Sequence, residues 1–180
     1  TSKTLWNQFE KTRPSAKDLG NYLKHLIKID RKSTALKDLQ GIIWQHGYQS
    51  GQLKSPLFKD VLPQLNTWKL KELTLAVYSS GSIQAQKLLY RHTEYGDITH
   101  FFDQWFDTHT GPKLISESYK IIAQKLGLTV DQALFISDHP AECDAAQKAG
   151  MHAVFCLRDG NPHQNPGRHS IARRLSDIDV

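Results

Sequence analysis

The residues that could do chemistry lie in the second half of the chain, at the ends of apolar runs. Ser79 and Ser80, with Gly81 after them, follow the run LTLAVY at 73–78. Asp138 ends a second run, ALFISD, at 133–138. Lys113 stands between them in GPKLISESY, just ahead of a helical pattern. A hydroxyl beside a helix N-terminus suits a phosphate oxygen, because first-turn N–H groups and the helix dipole favour an anion. A lysine ammonium in such a place neutralises a phosphoryl group and bridges to a carboxylate. A carboxylate at a strand exit suits Mg²⁺, which takes one or two carboxylates and completes its shell with water and phosphate oxygens. Each residue also has a plainer role. Ser79, Ser80, Ser82 and Asp138 could cap helices, and Lys113 could be solvated. Glu142 could orient a metal-bound water or favour the helix dipole, and Asp144 reads as a solvated helix residue.

These groups need a frame, and the apolar pattern supplies one. Leu5, Trp6 and Phe9 recur at helical spacing until Pro14. Leu19, Tyr22, Leu23, Leu26 and Ile27 stripe a second helix. Ser33 can cap a third, with Leu36, Leu39, Gln40, Ile43 and Trp44 inward, and Phe58 to Trp68 mark a fourth. After Lys71 strands and helices alternate. LTLAVYSS (73–80), ALFISD and HAVFCL (152–157) read as parallel strands buried on both faces. Helices are expected over Ser82–His92, Leu114–Leu126 and Ala141–Ala149, the last ended by Gly150. The aromatic stretch Phe101 to Phe106 reads as loop, and the tail after Arg158 as loop followed by a short helix. Helices first and strand–helix units second predict an α-helical cap, residues 1–60, on a doubly wound parallel α/β core, residues 61–180. In such sheets ligands collect outside the carboxyl ends of the strands, where Ser79 and Asp138 stand.

Composition narrows the class. The chain has 180 residues, 39% hydrophobic and 23% charged, as in an ordinary globular protein. Its apolar runs are strand-length, too short for a bilayer, so no membrane partner is expected. Cys143 and Cys156 match no metal spacing, and a reduced, cytoplasmic setting is the expectation. The net charge of +5 is scattered, with only Arg168, Arg173 and Arg174 clustered, and no aromatic-basic pattern calls for nucleic acid. The field suits a small anionic substrate equally well.

The order strand-exit Ser, helix-start Lys, strand-exit Asp resembles the motif set of the haloacid dehalogenase (HAD) phosphatases. AVYSSGSIQAQKLLY (76–90), YGDITHFFDQWFDTHTGPK (95–113), LFISDHPAECDAA (134–146) and STALKDLQGIIWQHGYQSGQLKSPLF (33–58) resemble the enolase-phosphatase (acireductone synthase) family within it. The likeness spans about Asp30 to Arg158. It implies Ser79 and Ser80 at the substrate phosphate, Ser79 and Lys113 as catalytic groups touching substrate, and Asp138 as a Mg²⁺ ligand. It also implies a monomer acting on a small phosphorylated substrate, a methylthio diketone phosphate of methionine salvage. The substrate is enolised and then dephosphorylated to the acireductone through an aspartyl-phosphate.

The family's Asp-x-Glu-Gly-Thr-type segment, source of the nucleophile, is not found between Thr1 and Ser79. The resemblance places that first strand at the sheet centre, between the strands ending at Ser79 and Asp138. The expectation is an incomplete N-terminus and no turnover by this chain alone. Closing up of the two strands, or another segment in the slot, are the alternatives. Other readings are a capped phosphatase for a different ester, or a non-catalytic remnant. His139, Ser137, His163 and His169 are expected in solvated loops.

Overall fold

The computed structural model describes residues 15–29 and 34–180, so the helix expected before Pro14 and the Ser33 cap lie outside it. The chain divides between Gln49 and Ser50 into two units. The first holds α1 (Ala16–Lys28) and α2 (Thr34–Gln49). Ser15 caps α1, its Oγ accepting from Asp18 N at 3.2 Å. Asp18 in the first turn and Lys28 in the last complement the dipole. Leu26 of the α1 stripe is buried, whereas Leu19 and Ile27 are exposed. Ile43 and Trp44 of α2, expected inward, are 56% and 43% exposed.

The second unit begins with α3 (Val61–Leu70), then β1 (Ala76–Tyr78) and α4 (Ile83–Arg91). Next come β2 (Gln104–Phe106), α5 (Ser116–Leu126), β3 (Leu134–Ser137), α6 (Pro140–Ala149), β4 (His152–Cys156) and β5 (Ser170–Ala172). Every ladder is parallel, with β1 beside β2 and the order β3-β4-β5 in the other sheet. Alternate strand residues feed opposite layers, as the two-residue period of a strand requires. Phe135, Ala153 and Phe155 join Tyr119, Ile122 and Ala146 of α5 and α6 on one side. Leu134, Ile136 and Val154 join Leu65 and Trp68 of α3, Ala172 and Ile178 on the other. Helices therefore cover both faces, the doubly wound α/β arrangement expected.

Four details depart from expectation. The strand read at 73–80 is ordered as ladder only over Ala76–Tyr78, because its partner β2 is itself three residues long. β2 replaces an expected loop. Asp103 sets its start, donating from its N–H to Leu75 O at 2.8 Å while its carboxylate accepts from Leu75 N. β5 interrupts the expected coil of the tail, and Leu175–Asp177 closes it as a single 3₁₀ turn. Phe58 precedes α3 instead of opening it, stacked 4.3 Å from the Arg158 guanidinium.

Among the described residues no ladder joins β1 to β3, and no described segment lies between them as a strand. The strands have not closed up. Side chains alone bridge them on one face: the Tyr119 ring stands edge-on to Tyr78 at 5.7 Å and to Phe135 at 4.9 Å.

Candidate active site

Ser79 and Ser80 leave β1 and enter the turn before α4. Ser82, not Ser79 or Ser80, caps that helix, its Oγ accepting from Ala85 N at 3.3 Å. Ser79 Oγ accepts from Gly81 N at 3.3 Å, which leaves its own proton to donate, and Ser80 is exposed. Both hydroxyls thus remain at the strand exit beside a helix N-terminus, the setting that suits an anion.

Asp138 leaves β3 in the same way. The N-cap position of α6 falls to His139 with Pro140 at the first helical residue, so Asp138 is not a cap. Ser137 Oγ occupies the turn instead, accepting from His139 N at 3.1 Å. Among the described residues, nothing hydrogen-bonds or ion-pairs with the half-buried Asp138 carboxylate. A partly exposed carboxylate at a strand exit fits a hard cation that keeps most of its water. No group of three or more His, Cys, Asp or Glu is placed to hold a metal ion among the described residues.

Lys113 is the most thoroughly held of the three. The carbonyls of three successive residues accept from side-chain hydroxyls: Gly111 O from Tyr78 at 2.8 Å, Pro112 O from Ser118 at 2.8 Å, and Lys113 O from Tyr119 at 2.6 Å. Gly111 has φ +150°, and a Cβ there would lie 2.2 Å from Ser118 Oγ, so only glycine fits. The Lys113 ammonium sits 5.7 Å from the Tyr78 ring centre and 6.0 Å from that of Phe135, on the two bridged strands. It pairs with Glu142 at 2.5 Å, and the same Glu142 oxygen accepts from Ser137 Oγ at 2.7 Å. Lys113 is therefore next to the residue before Ser79 and, through Glu142 and Ser137, to the residue before Asp138. Burial pushes the Tyr78 and Tyr119 phenols up, and the Glu142 charge adds to it, so both stay protonated donors. Burial also lifts the Cys143 thiol to about 11, which disqualifies it as a nucleophile.

Glu142 is thus not a free dipole partner: one of its oxygens is the counter-ion of Lys113 and accepts from Ser137. Ser118 and Tyr119, to which the sequence assigns no role, fix the lysine together with Ser137; their spacing alone carries no signal. All three histidines lie in loops as expected, but neither Ser137, at the end of β3, nor His169 is solvated. Ser137 is buried, the His139 ring packs 4.3 Å from His163, and the buried His169 places Nε2 3.3 Å from Asp144. Arg168 also pairs with Asp144 and Arg174 with Asp177, so two of the three clustered arginines face carboxylates.

A parallel α/β fold with Ser, Lys and Asp brought to its strand ends defines a class, and comparison with known proteins agrees. The haloacid dehalogenase-like hydrolase family model matches residues 7–150. The enolase-phosphatase E1 of Synechococcus sp. WH7803 is 58% identical over 92% of this chain and 69% of its own length. That of Parasynechococcus marenigrum WH8102 is 55% identical over 88% of this chain and 64% of its own. The chain thus spans about two thirds of such relatives. The crystal structure of the UTR4 protein of Saccharomyces cerevisiae superposes with a TM-score of 0.81 at 31% identity, over 97% of this chain and 80% of that one. The chain belongs to the haloacid dehalogenase-like hydrolases and, within them, to the enolase-phosphatase family.

Proposed function

We propose that the protein acts on 2,3-diketo-5-methylthiopentyl 1-phosphate in methionine salvage, enolising it and removing its phosphate to yield the acireductone. The observation that carries this reading is the position of Lys113 between the exits of β1 and β3, in a chain 58% identical to an enolase-phosphatase. Ser79 and Ser80 donate to the phosphate oxygens at the N-terminus of α4. Lys113 neutralises charge that grows on the phosphoryl group, and its aromatic walls and Glu142 hold it ready without reorganisation. Asp138 would hold Mg²⁺, which when bound supplies positive charge to the phosphoryl oxygens.

Residues 1–60 serve as cap and 61–180 as core in this reading; the separate helical unit ending at Gln49 supports it. The setting is cytoplasmic. Among the described residues no helix is long and apolar enough to cross a membrane. The protein acts as a monomer in this reading, which one chain's carrying Ser79, Lys113 and Asp138 together supports, and no nucleic-acid partner is invoked. The test is phosphate release from the phosphorylated diketone by the protein with the family's Asp-x-Glu-Gly-Thr-type segment present, the source of the nucleophile. Lys113→Ala lowers kcat by about 10²–10³, the usual cost of one charge-stabilising donor; an unchanged kcat sinks the assignment. A panel of other phosphate esters, turned over no faster than the diketone, excludes a different ester as the substrate.

A further inference from the structure

Gln86 is a polar residue on the inner face of α4, 3% exposed. The apolar stripe of that helix gives no reason for a glutamine there. Its Nε2 donates to Gly81 O at 2.7 Å and to Phe106 O at 2.9 Å. Phe106 O in turn accepts from Ser79 N at 3.2 Å. One side chain therefore ties the end of β2, the start of the serine turn and its last residue before the cap. Two carbonyl acceptors demand the NH₂ end of the amide, so its orientation is determined. The cost is visible: Gln86 Oε1 is buried with no hydrogen-bond donor among the described residues.

Asp107, the next residue after Phe106, holds the same turn from the other side. It is buried, and one oxygen accepts from Ile83 N, the first helical N–H of α4, at 3.3 Å. The other accepts from His109 N at 2.9 Å. Burial pushes the Asp107 carboxyl up, but the hydrogen bonds from the His109 backbone and ring and from Ile83 N outweigh it, leaving the group below its ordinary value.

We propose that Gln86 is a positioning residue for phosphate binding: its buried amide, with Asp107, sets the turn that aims the Ser79 and Ser80 hydroxyls. The proposal rests on the phosphatase reading of that turn. Both amide hydrogens of Gln86 are committed to backbone carbonyls, one in the serine turn and one at the strand end beside it. Leucine at position 86 removes both donors and the unpaired oxygen at similar volume; Phe106 O keeps its bond from Ser79 N, Gly81 O loses its donor, and the turn loses its grip.

The test titrates inorganic phosphate into the protein while the amides of residues 79–82 are followed by ¹⁵N NMR, with the melting temperature measured in parallel. Phosphate shifts those amides saturably in the wild type, and Ser79→Ala removes the effect. Gln86→Leu weakens phosphate about tenfold, within the range that small misplacements of binding groups cost, while the protein stays folded with a melting temperature lowered by no more than one unpaired carbonyl costs. Asp107→Ala weakens it in the same direction and serves as the test should Gln86→Leu not fold. Wild-type affinity in a folded Gln86→Leu, beside loss in Ser79→Ala, overturns the positioning role and leaves the phosphatase reading standing. No phosphate-dependent shift in the wild type overturns both.

Discussion

At the scale of single residues, the site depends on one ion pair. Lys113 and Glu142 are largely withdrawn from water, with side chains 20% and 12% exposed. Water screens such a pair little, and removing one partner strands the other charge. Glu142→Ala is expected to lower folding stability by about 3 kcal/mol, read from the shift of the urea midpoint at unchanged slope. Ser137→Ala removes one hydrogen bond to the same oxygen and costs about 1–2 kcal/mol. A Glu142→Ala variant as stable as the wild type would show that Lys113 finds another anion. The sequence made Lys113 and Asp138 candidates because each type at its place has a chemical use. It gave no hint that Glu142 completes the lysine, since residues 113 and 142 meet only after α5, β3 and α6 have packed.

At the scale of elements, the loop into α5 is built to a tolerance that glycine alone meets. Gly111→Ala would drive a methyl group into Ser118 Oγ and force a φ that side chains rarely adopt. Such strain costs about 1–3 kcal/mol, and it disturbs the Ser118 bond to Pro112 O that precedes Lys113. The expected outcome is a lower melting temperature together with a fall in kcat. Loss of stability with full kcat would detach the loop from the chemistry. The elements themselves were legible to different degrees. Strands β3 and β4 and helices α5 and α6 stand close to their expected places, because long apolar patterns and the stop at Gly150 announce them. The three-residue strands β2 and β5 were not legible. Gln104–Phe106 and Ser170–Ala172 are too short to show a period, and their ladders exist only because β1 and β4 offer an edge. The exposure of Ile43 and Trp44 on α2 is illegible for a related reason: periodicity tells which residues share a face, not what covers it.

At the scale of the whole second unit, Asp60 and Arg158 clasp segments far apart in sequence. Two bonds of 2.7 Å join the guanidinium to the carboxylate, and Leu175 N adds a third contact to Asp60 at 2.7 Å. The Arg158 hydrogen bonds hold the Asp60 carboxyl at about 2, below its ordinary 3.8, although burial opposes them. A folded value below the unfolded one means that the clasp contributes fully above the unfolded value and fades as pH falls from about 4 to about 2. The drop corresponds to about 2 kcal/mol. Acid unfolding of Asp60→Asn is expected to lack that component, and an identical acid profile would refute the clasp.

The unladdered gap between β1 and β3 has a consequence for handling the chain on its own. Each of these strands turns one row of amide and carbonyl groups toward a neighbour that the described residues do not supply. Such rows are templates for foreign backbone, so the chain alone should self-associate as its concentration rises, with light scattering growing faster than linearly. A short extended peptide that docks there should suppress the scattering.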